Sequence, residues 1–218
     1  MRGFYFFVCW NFLIFNNTLL FDMIELDAGY RRARPADAGV LAELVNIAGE
    51  GLPLYFWSSI TGPGETGWDI GRARASRDSG AFSFRNAFLR EEEHTPVACL
   101  IGYPLPGEPE KSDYSELHPI AVPLQQLEDM VPGTWYVNVL ATCPSHRNKG
   151  YGGALLELAV QLANDSGRSG LSIIVSDANR GAKRLYERHG YCEYARRPMV
   201  KAGWENPGRE WVLLTRNT

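Results

Sequence analysis

The stretch Arg147-Asn148-Lys149-Gly150-Tyr151-Gly152-Gly153 combines two cations with three glycines. It lies between a run that reads as a strand and a run that reads as a helix. A helix start leaves about four backbone N–H groups unpaired and carries partial positive charge. Glycine lets the backbone approach a ligand because no Cβ intervenes. Together these features suit a diphosphate. By itself the pattern also fits a Gly-rich turn opening an ordinary helix. Two other phosphate signatures are excluded. G-x-x-x-x-G-K-S/T is absent, and the dinucleotide pattern requires a third glycine where Leu155 stands. A literal G-x-G-x-x-G occurs at Gly62, Gly64 and Gly67, but it contains Pro63 and follows no strand, so it reads as a turn.

A second constellation is Asn179, Ala182, Leu185, Tyr186, Gly190 and Tyr191, spaced N-x-x-A-x-x-L-Y-x-x-x-G-Y. On spacing alone Tyr186 is a core aromatic on a helix face. Cys143 precedes Pro144, but no histidine stands in a relay with it, so it does not read as a nucleophile. His146 beside the phosphate loop reads as exposed. The four cysteines (Cys9, Cys99, Cys143, Cys192) and four histidines (His94, His118, His146, His189) are dispersed, so no metal site is visible.

These groups require a framework. Gly29–Arg34 suits a short strand and 37–48 a helix with Asp37 as its N-cap. Residues 51–67 read as a loop with a short helical piece, followed by a helix from Ile70 that ends near Gly80. Strands are expected at Ala81–Arg90 and Val97–Tyr103, with Glu91, Glu92, Glu93 and His94 as a solvated turn. Residues 104–133 hold six of the thirteen prolines, which excludes a central strand or long helix; a short helix fits Leu124–Met130. Thr134–Thr142, Leu171–Ser176, Tyr191–Arg196 and Trp211–Thr215 read as strands. Gly152–Asn164 and Asn179–His189 read as helices, the latter with Asn179 as N-cap and Gly190 as its stop. The alternation predicts a mixed α/β fold with a central sheet.

The bulk numbers fit that class. The 218 residues are 45% apolar and 22% charged, which excludes a disordered chain or a disulfide-rich mini-protein. With 22 Lys and Arg against 25 Asp and Glu, the net charge of −3 gives no basic field for nucleic acid. Unpaired cysteines point to free thiols in a reducing cytoplasm. Of residues Phe4–Phe21, fourteen of eighteen are apolar, but Asn11, Asn16, Asn17 and Thr18 interrupt them. That suits neither a membrane span nor a signal peptide. Residues 1–22 read as an extension and 23–218 as a single domain carrying a Pro-rich insertion at 104–133. A membrane-tethered enzyme using residues 4–21 is the weaker reading.

Across Trp135 to about Arg197 the chain resembles the GNAT superfamily of acyl-CoA-dependent N-acyltransferases. Leu140-Ala141-Thr142-Cys143-Pro144-Ser145-His146-Arg147-Asn148-Lys149-Gly150-Tyr151-Gly152 is similar to that family's acyl-CoA motif, and Asn179 through Tyr191 is similar to its second motif. Residues 29–103 fit its opening layout in outline. The resemblance implies a mostly antiparallel sheet with one splayed parallel pair and helices on both faces. It implies that acetyl-CoA is the cosubstrate, with its pantetheine arm pairing with the backbone of Leu140, Ala141 and Thr142. Arg147 and the amides of Asn148, Lys149, Gly150, Tyr151, Gly152 and Gly153 are then expected at the diphosphate. Asn179 is expected at the pantetheine, and Tyr186 as the acid that protonates the leaving thiolate. Thr142 departs from the family, which more often has Val there. Arg180, Lys183, Arg184 and Arg188 offer a cation for the 3′-phosphate.

The implied reaction is direct attack of an amine on a thioester. An alkylamine with pKa about 10.4 is neutral in only about one molecule in a thousand at pH 7, so a base or water chain must take its proton. No base is assigned: Asn138 stands where some relatives carry a carboxylate, and Glu50, Asp69 and Glu91–Glu93 are candidates that read rather as surface charge. That vacancy keeps open a non-catalytic acyl-CoA-binding sensor or scaffold. The acceptor is a small-molecule or peptide amine. The Pro-rich arm is expected either to wall the acceptor site or to form a homodimer contact.

Overall fold

The structure, a computed structural model, describes residues 26–108 and 113–218. The extension assigned to residues 1–22, and Cys9 within it, lie outside the described residues, as does 109–112 of the Pro-rich stretch. The fold is mixed α/β. Among the described residues seven strands follow the order β1-β2-β3-β4-β5-β7-β6 in a mostly antiparallel sheet with one parallel pair. The chain divides into two compact units; their described residues are 26–103 with 137–161, and 104–108 with 113–136 and 162–218.

In the first unit β1 (Tyr30–Arg32), β2 (Ala87–Glu92) and β3 (Thr95–Pro104) run antiparallel, and most of β4 (Trp135–Thr142) belongs here too. Val97 to Tyr103 are buried without a break, so β3 is covered on both faces. Along β4 the burial alternates: Val137, Val139 and Ala141 are buried, while Asn138, Leu140 and Thr142 are half-buried, as the two-residue strand period requires. Helix α1 (Ala38–Ala48) buries Leu41, Ala42, Leu44 and Val45. Helices α2 (Leu52–Ser58) and α3 (Gly67–Ala75) pack together. At Gly71 a Cβ would lie 2.5 Å from the buried Trp57 ring, so this contact needs glycine. Gly67 begins α3, and Thr66 caps it with Asp69 in a reciprocal box, so the Gly62–Gly67 pattern is a turn into a helix. The fifteen-residue α5 (Tyr151–Asp165) starts in this unit and buries Leu155, Leu156, Leu158 and Ala159.

In the second unit β5 (Gly170–Ser176) and β6 (Cys192–Pro198) both pair antiparallel with β7 (Glu210–Asn217). The insertion contributes α4 (Val122–Glu128), which packs on β6 and β7. Helix α6 (Arg180–Arg188) is fixed at both ends. Asn179 Oδ1 accepts from the Ala182 amide at 3.1 Å. At the other end Gly190 takes φ +79°, its amide donates to Glu187 O, and the Tyr191 amide reaches back to Tyr186 O at 3.1 Å. This is a Schellman stop, and its accompanying apolar contact is Tyr186 against Tyr191, with ring centroids 6.0 Å apart. The N-x-x-A-x-x-L-Y-x-x-x-G-Y spacing therefore describes one helix from its N-cap to its stop.

Three local expectations change. Ala81–Asn86 is not strand: Ser83 is buried, donates to Arg77 O and accepts from the Arg85 amide, which bends the chain into a 3-10 turn ahead of β2. Asp37 stands at the start of α1 but does not cap it, because its carboxylate is taken by the Arg34 amide and by Arg31. The turn after β2 is only Glu93-His94, both with positive φ, as a two-residue hairpin loop demands. Glu91 and Glu92 are strand residues engaged in ion pairs.

Candidate functional site

Strand β4 ends at Thr142, a 3-10 turn covers Pro144–His146, and α5 begins at Tyr151. The Cys143 amide donates to Val97 O at 2.8 Å and so ties the strand end to β3. The linking coil is then folded sharply: Asn148 has φ +63° and Gly150 φ +87°. Asn is among the few residues other than glycine that enter the left-handed region readily. Among the described residues, no acceptor is found for the backbone amides of Asn148, Lys149, Gly150, Tyr151, Gly152 or Gly153. The first helical amide closed on this segment is that of Ala154, which donates to Gly150 O at 3.1 Å. Residues 147–150 are exposed and 151–153 half-buried. Six open donors at the head of a four-turn helix are an arrangement that suits an anion.

The side chains around it are arranged by β2. Lys149 Nζ lies 3.0 Å from each oxygen of Glu92, the Tyr151 phenol donates to the same carboxylate, and His146 Nε2 is 3.4 Å from it. Arg90 places its guanidinium 5.1 Å from the Tyr151 ring centroid and 5.1 Å from that of Tyr30. Arg147 turns back toward the strand, its Nε 3.4 Å from Thr142 O. Glu92, expected in a solvated turn, and Arg90, expected only as the end of a strand, stand more than fifty residues upstream of the loop. The available signal was an acidic residue two positions after an arginine on a strand, so that both share a face. Asn138 donates its side-chain amide to Ala81 O at 3.3 Å. Cys143 is half-buried, and burial, then the Glu43 carboxylate, push its thiol up from the ordinary range. A thiol so shifted is a poor nucleophile at neutral pH.

In the second unit Tyr186 is buried on α6. Tyr136 is held well above the ordinary phenol range by burial, then by the charges of Glu128 and Tyr186. Glu128, on α4 of the Pro-rich stretch, is itself raised well above the carboxylate range by desolvation, then by Asp129. Asn179 spends its oxygen on the helix cap, leaving its NH₂ as a donor. Of the cations on α6, Lys183 is ion-paired with Glu193 at 2.8 Å. Among the described residues no group of His, Cys, Asp and Glu could hold a metal, and no helix is long and apolar enough to cross a membrane.

Known proteins give the arrangement its context. Among curated proteins none matches the chain. Several solved structures share its fold. An acetyltransferase crystal structure covers 86% of this chain and 98% of its own at 18% identity, with TM-score 0.61. An N-acetyltransferase from Staphylococcus aureus Mu50 covers 86% of this chain and 100% of its own at 19% identity, with TM-score 0.60. A GNAT-family acetyltransferase from Desulfovibrio desulfuricans covers 86% and 97% at 18% identity, with TM-score 0.54. The Acetyltransferase (GNAT) family model matches residues 56–191, which hold the hairpin of β2 and β3, the open amides and all of α6. With that match spanning more than half of its length, the chain belongs to the GNAT acetyltransferase family.

Proposed function

We propose that this enzyme transfers an acetyl group from acetyl-CoA to the nitrogen of a small-molecule or peptide amine, by direct attack when both substrates are bound. The observation that carries the reading is the run of six acceptor-free amides from Asn148 to Gly153 at the head of α5. They fit a diphosphate in number, polarity and exposure, and Arg147 adds a cation beside them. Lys149 belongs to this set through its backbone. The backbone of Leu140, Ala141 and Thr142 is assigned to the pantetheine arm, and the side-chain NH₂ of Asn179 to the same arm. The catalytic domain is assigned to residues 23–218.

In the transfer, the amine nitrogen forms a bond to the acetyl carbon and the carbon–sulfur bond breaks. The amine proton leaves to water, and the thiolate takes a proton from the Tyr186 phenol, which water then restores. The raised Cys143 thiol supports transfer without an acyl-cysteine stage. The unbridged Cys99, Cys143 and Cys192 support a cytoplasmic location.

The test is release of free CoA thiol from acetyl-CoA over a panel of amines. Acceptor-dependent release is expected, and Tyr186→Phe is expected to lower turnover about a hundredfold while CoA still binds. Coenzyme binding with no release on any amine would favour a non-catalytic sensor. Unchanged turnover in Tyr186→Phe would remove that residue from the chemistry.

A further inference from the structure

Three side chains of the phosphate loop converge on one carboxylate that the loop does not contain. Glu92 closes β2, opposite Thr95 across the hairpin. Lys149 approaches both its oxygens at 3.0 Å, Tyr151 donates to one, and His146 lies 3.4 Å from the other while sharing a 2.9 Å hydrogen bond with Ser145. An ionised carboxylate accepts about four hydrogen bonds, and this loop supplies three of them to Glu92, with His146 beside them. Arg90 holds Tyr151 a second time, by its ring. Lys149 sits between the two left-handed residues, Asn148 and Gly150. The pinned side chain is thus at the centre of the segment whose backbone is most constrained.

We propose that Glu92 is a positioning residue for the coenzyme site. It draws His146, Lys149 and Tyr151 toward β2, fixes the fold of 146–151, and leaves the amides of 148–153 as the surface that meets phosphate. The identity of that phosphate rests on the acetyl-CoA reading above; the pinning of the loop does not. One consequence concerns Lys149. Its charge is already balanced by Glu92, so anion recognition falls to the amides and to Arg147.

A simple charge argument predicts the opposite sign. If Glu92 were only a negative charge near an anion site, its removal would tighten coenzyme binding by about twofold at a separation near 10 Å in water. If it pins the loop, removal frees several rotamer-rich side chains and weakens binding about fivefold or more. Glu92→Gln keeps the shape of the side chain and distinguishes the two.

The first measurement uses the full chain without coenzyme. Trypsin cleaves after Arg147 and Lys149, and in Glu92→Gln cleavage at both is expected to rise about fivefold while other sites are unaffected. Lys149→Met should raise cleavage after Arg147 by a similar factor, and the double variant should add nothing further. The second measurement is kinetic: in Glu92→Gln the KM for acetyl-CoA should rise about fivefold, with kcat changed by less than about twofold. ADP, which carries the diphosphate, should lose affinity in the same ratio, and pantetheine should not. Equal tryptic rates in wild type and variant, or a KM that stays or falls, would overturn the proposal. If wild-type protein binds no coenzyme, the acetyl-CoA reading fails alone, because the tryptic result is decided without it.

Discussion

Single residues carry both the chemistry and the local stability here, and Arg31 shows how the second can be measured. It donates to Asp37 at 2.8 and 2.9 Å and to Glu91 at 2.7 Å, so it joins β1, the turn before α1, and β2. The Arg31 guanidinium, helped by the Arg34 amide, holds the Asp37 carboxyl below its ordinary range. A depressed carboxylate contributes stability above its unfolded pKa and loses it as pH falls through the folded one. Arg31→Met should therefore cost about 1 kcal/mol at pH 7, a modest figure because the cluster is only partly buried and water screens it. The cost should shrink toward zero once pH falls well below the usual carboxylate range. Urea unfolding at pH 7 and in strong acid checks this; a pH-independent cost would show that packing of the arginine stem is responsible. The same cluster shows where residue-level reading stopped. An acidic run is most often a solvated face, and nothing local marks Glu91 or Glu92 as otherwise. Their partners, Arg31 and Lys149, stand 60 and 57 residues away, and only strand pairing brings them together.

At the scale of elements, the sequence was legible where periodicity and caps agree, and α6 is the clearest case. Asn179 and Gly190 mark its two ends, and Tyr186 and Tyr191 are the contact that closes its stop. Gly190→Ala places a Cβ at φ +79°, and should cost about 1 kcal/mol in thermal unfolding; no cost would mean the stop is dispensable. Asn179 separates structure from binding. Asn179→Asp keeps the cap, so stability should hold, but it loses the NH₂ assigned to pantetheine, and the KM for acetyl-CoA should rise. Asn179→Ala should lose about 1 kcal/mol of stability as well. If both variants leave KM unchanged, Asn179 is a cap and nothing more. The stretch 81–86 was misread because alternating apolar residues also occur in a tight turn, and the decisive feature, the buried Ser83 hydroxyl bonded to Arg77 O, carries no sequence period. The hairpin turn is legible, but its two-residue length is not, since Glu93 and His94 are not the Asn-Gly pair such loops prefer.

At the scale of the whole molecule, the proposed reading asks an acidic chain to take up an anionic cosubstrate. The net charge of −3 offers no long-range attraction, so the proposal assigns recognition to short-ranged groups: oriented amides at one helix start, with Arg147 beside them. Family membership and a match over residues 56–191 fix the class of chemistry, and the motifs that announced it lie in the best-patterned half of the chain. The first half resembled the family in outline only, because its helices are held by contacts such as Gly71 against Trp57 that leave no periodic trace. The proposed function rests above all on the amides between Asn148 and Gly153 binding the diphosphate of a coenzyme thioester. Titration calorimetry of CoA and acetyl-CoA into the full chain measures this directly. A one-to-one isotherm is expected, and a melting temperature that climbs with coenzyme concentration as binding to the folded state requires. No heat from either ligand, together with a melting temperature indifferent to saturating coenzyme, would contradict it.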